Sequence, residues 1–221
     1  MCAHNGAMPE THETAGLFHD AAGCARCAWC AATPAYRHYH DHEWGYPVAD
    51  ERRLFEKLCL EGFQAGLSWL TILNKREAFR AAMANFEAEA LARFGEAEVR
   101  TLLANAAIVR HRGKIESAIR NARQVLELRA EFGSLAHYVW RYAEAAAQGR
   151  PPRLTAEALR AMTATSASHA LSRDLKKRGF SFVGPTTMYA FMQAMGLVND
   201  HVEGCAARAR AEAARAAFAL P

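Results

Sequence analysis

No run of about 18 uninterrupted apolar residues occurs in the 221-residue chain, so no transmembrane helix is expected. The first residues, MCAHNGAMPETHETAGLFHD, hold neither a basic leader nor an apolar run, so a secretory signal is missing and a reducing, cytoplasmic compartment is expected. Gly (14) and Pro (7) are ordinary in number, which excludes a collagen-like or low-complexity chain. β-Branched residues are few in long Ala-, Leu- and Arg-rich stretches, which argues against a sheet-based fold. No internal repeat at a fixed period is visible. A large charge excess is lacking too: 27 Lys+Arg against 23 Asp+Glu leaves +4, which permits a polyanion partner without requiring one. What is present is a globular composition, 51% hydrophobic, of a length that suits one domain or two small lobes sharing a core.

Charge and sulfur are unevenly placed. Residues 1–60 hold five basic against eight acidic residues, whereas 61–221 hold 22 basic against 15 acidic. In a reducing compartment, clustered Cys and His point to metal before disulfides. Cys24, Cys27 and Cys30 lie within seven residues, followed by His38, His40 and His42, while His201 and Cys205 stand together near the far end. An i, i+4 spacing on a helical turn aims His201 and Cys205 the same way, as two ligands of one ion require. Two Cys and two His complete a tetrahedron with no open position, which predicts a structural zinc ion tying the start of the folded region to its end. Spacing alone leaves the thiols open: Cys24 with Cys27 is as good a pair as any.

From residue 50 the dominant period is helical. Asp50 is placed to cap a helix running through Leu54 and beyond, and helices are predicted over 77–84, 87–93, 96–104, 113–130, 134–147 and 155–161. On a wheel with Leu54 at zero, Phe55, Leu58, Trp69, Ile72 and Leu73 form one apolar stripe, and Glu61 falls at about −20°, on its edge. A carboxylate there is either half of an internal ion pair, a group reaching water at the stripe's margin, or a pocket acid facing a ligand, because an unpaired buried charge costs several kcal/mol. Gly62 and Gly66 would clear the surface between Glu61 and Trp69 for a flat partner. Farther on, the chain reads as helix, short hairpin, helix: Ser166 or Ser168 caps the first helix, Gly179 ends it, Pro185 sits at the first position of the second, and Gly196 closes it. The Gly184-Pro185-Thr186-Thr187 start presents free backbone N–H groups beside Lys176, Lys177 and Arg178, a place for a phosphate. Arg110-His-Arg-Gly-Lys114 is a second basic loop opening a helix.

In combination these segments closely resemble the DNA-3-methyladenine glycosylase I family, bacterial-type members of the helix-hairpin-helix DNA glycosylases. The resemblance runs from about Cys27 to Cys205 and rests on Cys27-Ala-Trp29, Tyr36-x-x-Tyr39-His40-Asp-x-Glu43-Trp44-Gly45, Leu60-Glu61-Gly-x-Gln64-Ala-Gly66-Leu67-Ser68-Trp69, Ile108-Val-Arg-His-Arg-Gly-Lys114, Lys176-Lys-Arg-Gly-Phe180-x-Phe-Val-Gly184-Pro-Thr-Thr187 and Leu197-Val-Asn-Asp-His201. It implies an all-α, two-lobed domain over 24–205, between a mobile tail (1–23) and a C-terminal tail (206–221). One structural zinc ion would be held by Cys27, His40, His201 and Cys205, leaving Cys24 and Cys30 as departures that compete for the metal or stand aside. It also implies a base-excision-repair hydrolase that flips 3-methyladenine from double-stranded alkylated DNA and releases it, leaving an abasic site without a lyase step, in a monomeric protein acting at the nucleoid.

The implied base pocket falls on Glu61, Tyr39 and Trp69, with Trp29, Tyr36 and Trp44 in support. Adenine methylated at N3 is cationic in DNA, so aromatic faces attract it and a carboxylate adds charge attraction that neutral adenine cannot match. The implied DNA contacts are Gly184, Thr186, Lys176 and Lys177 at the hairpin, with Leu67 or Gly66 filling the gap left by the flipped base. Two features depart from the wider superfamily. Phe182 stands where the hairpin's first Gly is usual, and the acid nearest the place of a sugar-stabilising Asp is Asp200, sixteen residues past Gly184 and beside His201. Asp200 is therefore expected either to stabilise the sugar cation or to support the zinc ligand. No Lys near the pocket motif suggests a Schiff base.

Overall fold

The structure, a computed structural model, describes residues 16–221, and the fold is all-α but for one small hairpin. Strands β1 (Leu17–His19) and β2 (Ala25–Cys27) pair antiparallel, with Phe18 opposite Arg26. Asp20 closes the turn by accepting from the Ala22 and Cys24 amides, and Arg26 ties the hairpin to Asp41 of the first helix at 2.8 Å. The tail expected over 1–23 is thus corrected for its last part: residues 17–23 belong to this hairpin, whose short polar turn gave no periodic signal. Residues 1–15 of that tail lie outside the described residues.

Helix α1 (Pro34–His42) starts with Thr33 accepting from the Tyr36 amide and Pro34 in the first position. Helix α2 (Glu51–Gln64) is capped by Asp50, whose side chain accepts from the Arg53 amide. It stops at Gln64, and the chain turns through Gly66 at a positive φ before Ser68 caps α3 (Trp69–Asn74). The single wheel carrying Trp69 on the Glu61 helix is therefore corrected, since a helix of its own delivers Trp69. Nor does Gly62 open a path for a flat ligand: a Cβ there would sit 3.2 Å from the Cβ of Phe182, so this glycine seats the hairpin, whereas a Cβ on Gly66 would meet nothing within 4 Å.

The central region continues as α4 (Arg76–Ala82), α5 (Ala88–Leu91), α6 (Glu96–Ala104), α7 (Arg112–Phe132), α8 (Leu135–Trp140), α9 (Ala143–Ala147) and α10 (Ala156–Ala161). These follow the expected segments closely, except that 134–147 divides at Arg141. The hairpin pair is α11 (Ser166–Lys177) and α12 (Pro185–Ala194). Thr165, rather than Ser166 or Ser168, is the cap of α11, and Ser168 completes the capping box by accepting from the Thr165 amide. Last, α13 (Ala206–Ala216) lies within the segment expected as a C-terminal tail: Ala207 and Ala211 are buried, and the Phe218 ring beyond it lies 4.5 Å from Trp140. Its apolar face is made of alanines, too weak a pattern to separate from a frayed end.

Helix α2 organises the fold. It packs on α7, α8 and α12, and every residue from Leu54 to Phe63 is buried. The expected single stripe is thus an all-round burial, because neighbouring helices cover both sides and one contiguous core runs through both parts of the molecule. The charges on its hidden faces are each paired, Glu56 with Arg80 at 2.8 Å and Lys57 with Glu61 at 2.7 Å. At the far end of α12, Gly196 has φ +76°, and a Cβ there would overlap the Tyr46–Pro47 backbone. Gly196→Ala is expected to cost about 3 kcal/mol or more, from the left-handed backbone and the overlap together, measured as a fall in denaturation midpoint with an unchanged m value.

Candidate active site and metal centre

The six residues expected around the base pocket line a single cavity. Trp29 enters from the short 3-10 turn after β2, Tyr36, Tyr39 and Trp44 from α1 and its exit, Glu61 from α2 and Trp69 from α3; together they enclose about 140 Å³. That is below the roughly 300–1,000 Å³ of drug-sized sites and suits one planar ring system. The rings brace one another: Trp29 stands 4.9 Å from Tyr36 and 5.0 Å from Trp44, and Tyr39 stands 5.4 Å from Trp69. The Trp69 indole nitrogen is buried with no hydrogen-bond partner among the described residues, a donor left for something else.

Four further residues share the lining, Lys57, Gln64, Ala190 and Gln193. Lys57 is absent from the residues expected around the pocket. Its Nζ lies 2.7 Å from Glu61 Oε1, donates to the Tyr39 hydroxyl at 2.9 Å, and sits 3.1 Å from the Trp69 ring centroid. The signal was in the sequence as an i, i+4 spacing from Glu61. The ion pair and the pocket acid, weighed as alternatives for Glu61, are the same residue's two contacts. Burial pushes the Lys57 ammonium below its ordinary value, opposed by Glu61. Burial first, and Glu61 after it, hold the Tyr39 phenol well above its usual range, and the same two causes, with Cys30 between them, push Tyr36 up to about 12. Both phenols are therefore neutral hydrogen-bonding walls at neutral pH.

Behind the aromatics lies a possible metal centre. Cys27, His40 and Cys205 are buried and offer ligand atoms within 4.8 Å of one another, a group able to hold a metal ion. His40 is oriented by Asp41 at Nδ1 (2.7 Å), which leaves Nε2 facing Cys205 Sγ at 3.4 Å. His201 stands against this group without belonging to it, its ring 4.8 Å from that of His40, with Nδ1 held by Asn199 at 2.8 Å and Nε2 3.4 Å from the His40 carbonyl. Orientation of one ring nitrogen by an oxygen while the other faces the ion is how ligating histidines are commonly held. The Val202 amide donates to Cys27 Sγ at 3.4 Å, and Cys205 is driven toward thiolate by a hydrogen bond from Cys27, against burial. Both histidines also back the pocket, His40 at 5.1 Å from Trp29 and His201 at 4.8 Å from Trp44. Residues 201–205 form a turn rather than a helix, and Cys205 is the N-cap of α13.

Asp200 is not the residue that supports His201. Its Oδ2 accepts from Tyr189 (2.5 Å) and Gln193 (2.8 Å), Arg150 pairs with its other oxygen, and Asn199 is the partner of His201. Asp200 therefore fixes Gln193 at the pocket wall. Among the expected DNA contacts, Leu67 is 41% exposed beside Gly66 in the α2–α3 turn, and Thr186, Lys176 and Lys177 are exposed around Gly184, the N-cap of α12. The hairpin is clamped from α7, where Asn121 donates to and accepts from the Ser181 backbone. Phe182, in place of the usual glycine, adopts φ +55°. Not all the basic residues face solvent as free charges: Lys114 is buried, donating to the Phe63 and Ala65 carbonyls, Arg112 pairs with Glu96, and Arg178 pairs with Glu131.

Residues 29–209 match the methyladenine glycosylase family. The chain is 48% identical over 180 residues to DNA-3-methyladenine glycosylase 1 of Escherichia coli K12, covering 81% of this chain and 95% of that one. It is 42% identical over 181 residues to DNA-3-methyladenine glycosylase of Haemophilus influenzae, covering 81% and 96%. A solved structure of a 3-methyladenine DNA glycosylase I variant in complex with 3-methyladenine superposes with TM-score 0.76 at 36% identity, covering 83% of this chain and 97% of that one.

Proposed function

The chain belongs to the methyladenine glycosylase family, DNA glycosylases that hydrolyse N-glycosidic bonds, and removes 3-methyladenine from alkylated DNA; we propose that it does so on the duplex, as a monofunctional enzyme whose flipped base enters the pocket of Glu61 and Trp69. The observation that carries this reading is the cavity with five aromatic walls and one carboxylate. N3-Methyladenine in DNA is a cation whose glycosidic bond is already weakened. The indole and phenol faces attract it at roughly 0.5–2 kcal/mol per contact. Glu61 accepts a hydrogen bond from the exocyclic amine and stabilises positive charge on the bound base. Water then bonds to C1′ as the C1′–N9 bond breaks; the electron pair of that bond leaves on the methylated base, which departs neutral, and the water's spare proton passes to solvent. The nucleotide reaches the pocket by flipping, at a cost of a few kcal/mol that is least for a damaged base. Leu67, exposed at the α2–α3 turn, is placed to fill the vacated stack, while Gly184, Thr186, Lys176 and Lys177 at the hairpin take the backbone phosphates.

We further propose one structural zinc ion on Cys27, His40, His201 and Cys205. The donor set, its burial and the oriented histidines suit that ion. It would supply no chemistry to the reaction; it would join β2 to the turn before α13 and hold the rings behind Trp29 and Trp44. Lys57 is consistent with a reaction without a lyase step, since its Nζ is engaged by Glu61, Tyr39 and Trp69 at the base end of the site.

Incubation with methylated duplex DNA, chromatography of the released bases and electrophoresis of the strands test the reading together. Release of 3-methyladenine, with strands that break only on later alkali treatment, is expected. Absence of that base, or breakage in step with its release, would refute the corresponding part.

A further inference from the structure

A methylated base brings a positive charge to a carboxylate and an electron-rich ring, yet in this protein an ammonium already holds both. Lys57 Nζ is 2.7 Å from Glu61 and 3.1 Å from the Trp69 centroid, and its side chain is 7% exposed. We propose that Lys57 is a specificity-determining residue of the base pocket: a resident cation that a positively charged alkylated base must displace from Glu61 and from the Trp69 face. The inference rests on the reading of this cavity as the base site.

The geometry carries three consequences. Among the described residues, Lys57 and Glu61 are the only ionic side chains on the cavity wall, so with Lys57 in place the two charges cancel there. A cationic base then gains only what it takes over from the ammonium, whereas a neutral ring forgoes little by leaving the ion pair undisturbed. The pull of Glu61 for cations over neutral bases is thereby reduced, because an ammonium within 3 Å of a carboxylate opposes most of its field. The displaced ammonium also has somewhere to go. On the other side of Lys57 and Trp69 is a cavity of about 30 Å³, room for a single water-sized group, edged by Glu43 and Glu56, by their partners Arg76 and Arg80, and by Arg53, whose charge opposes the ammonium there. Rotation of the flexible lysine stem carries Nζ from the base side toward those carboxylates without moving the backbone of α2.

The test compares wild type with Lys57→Met and Lys57→Gln, the second retaining a hydrogen-bond donor toward Glu61 and Tyr39 so that loss of folding in the first does not end the experiment. Each protein, checked by thermal unfolding, is titrated through its tryptophan fluorescence with 3,9-dimethyladeninium, a permanent cation, and with 9-methyladenine, its neutral counterpart. Removing the lysine charge is expected to tighten cation binding about tenfold or more while neutral binding changes less than about threefold. Unchanged or weaker cation binding in the folded variants would overturn the proposal. So would an equal gain for both ligands, which would mark Lys57 as a steric plug. Base release by wild type from methylated DNA is measured alongside: its absence would refute the proposed function, whereas the ratio of cation to neutral affinity reports on Lys57 alone.

Discussion

Cys205→Ser is expected to lose the bound zinc and to lower the melting temperature by about 10 °C or more, read by metal analysis of the purified protein and by calorimetry. The size follows from where the site lies. Cys27 follows the first hairpin and Cys205 opens the last helix, so an ion joining them closes nearly the whole described fold into one loop. Closing a loop of more than 100 residues is worth on the order of 4–5 kcal/mol in chain entropy, and about 1 kcal/mol moves the midpoint of a chain this long by about 2–4 °C. Activity should fall with stability, since His40 and His201 stand directly behind Trp29 and Trp44. Zinc content and melting temperature both unchanged would overturn the ligand assignment.

Glu61→Gln is expected to slow release of 3-methyladenine by about 100-fold or more, the usual loss when one aimed electrostatic contact is removed from an active site. It should also destabilise the protein by about 3 kcal/mol, because it leaves the Lys57 ammonium buried beside an amide. From the wheel alone, a fall in stability would argue for an internal ion pair and against a pocket acid. The structure removes that opposition, since Glu61 pairs with Lys57 and lines the cavity at the same time. The double variant Lys57→Met/Glu61→Gln separates them: stability should return toward wild type, and release should not. Restored release in the double variant would place the carboxylate's importance in folding only.

The helical frame was legible because local signals and tertiary structure agree. Gly95 and Asn105 bracket α6 at the expected residues, Pro185 starts α12, and Gly179 ends the helix before it. The site was legible where its residues fall into tight motifs: the Trp29 to Trp44 segment and the Glu61 to Trp69 segment line one cavity. What failed did so wherever a partner distant in sequence decides the outcome. Nothing local says that α2 is covered on all sides, or that Lys57 is buried on Trp69. Nothing local says that Gly62 makes room for Phe182, or that Asn199 and not Asp200 orients His201. The β1–β2 hairpin is three residues a strand, shorter than any alternation can reveal.

The most direct test of the base pocket uses the four tryptophans as reporters. Trp29, Trp44 and Trp69 line the cavity, whereas Trp140 donates its indole N–H to the Val48 carbonyl at 2.8 Å within the core. In a titration with 3-methyladenine followed by nitrogen–proton NMR, the indole resonance of Trp69 is expected to shift most, with Trp29 and Trp44 following and Trp140 still. Saturable shifts confined to Trp140, or none at Trp69 in a protein that releases 3-methyladenine from DNA, would place the base elsewhere.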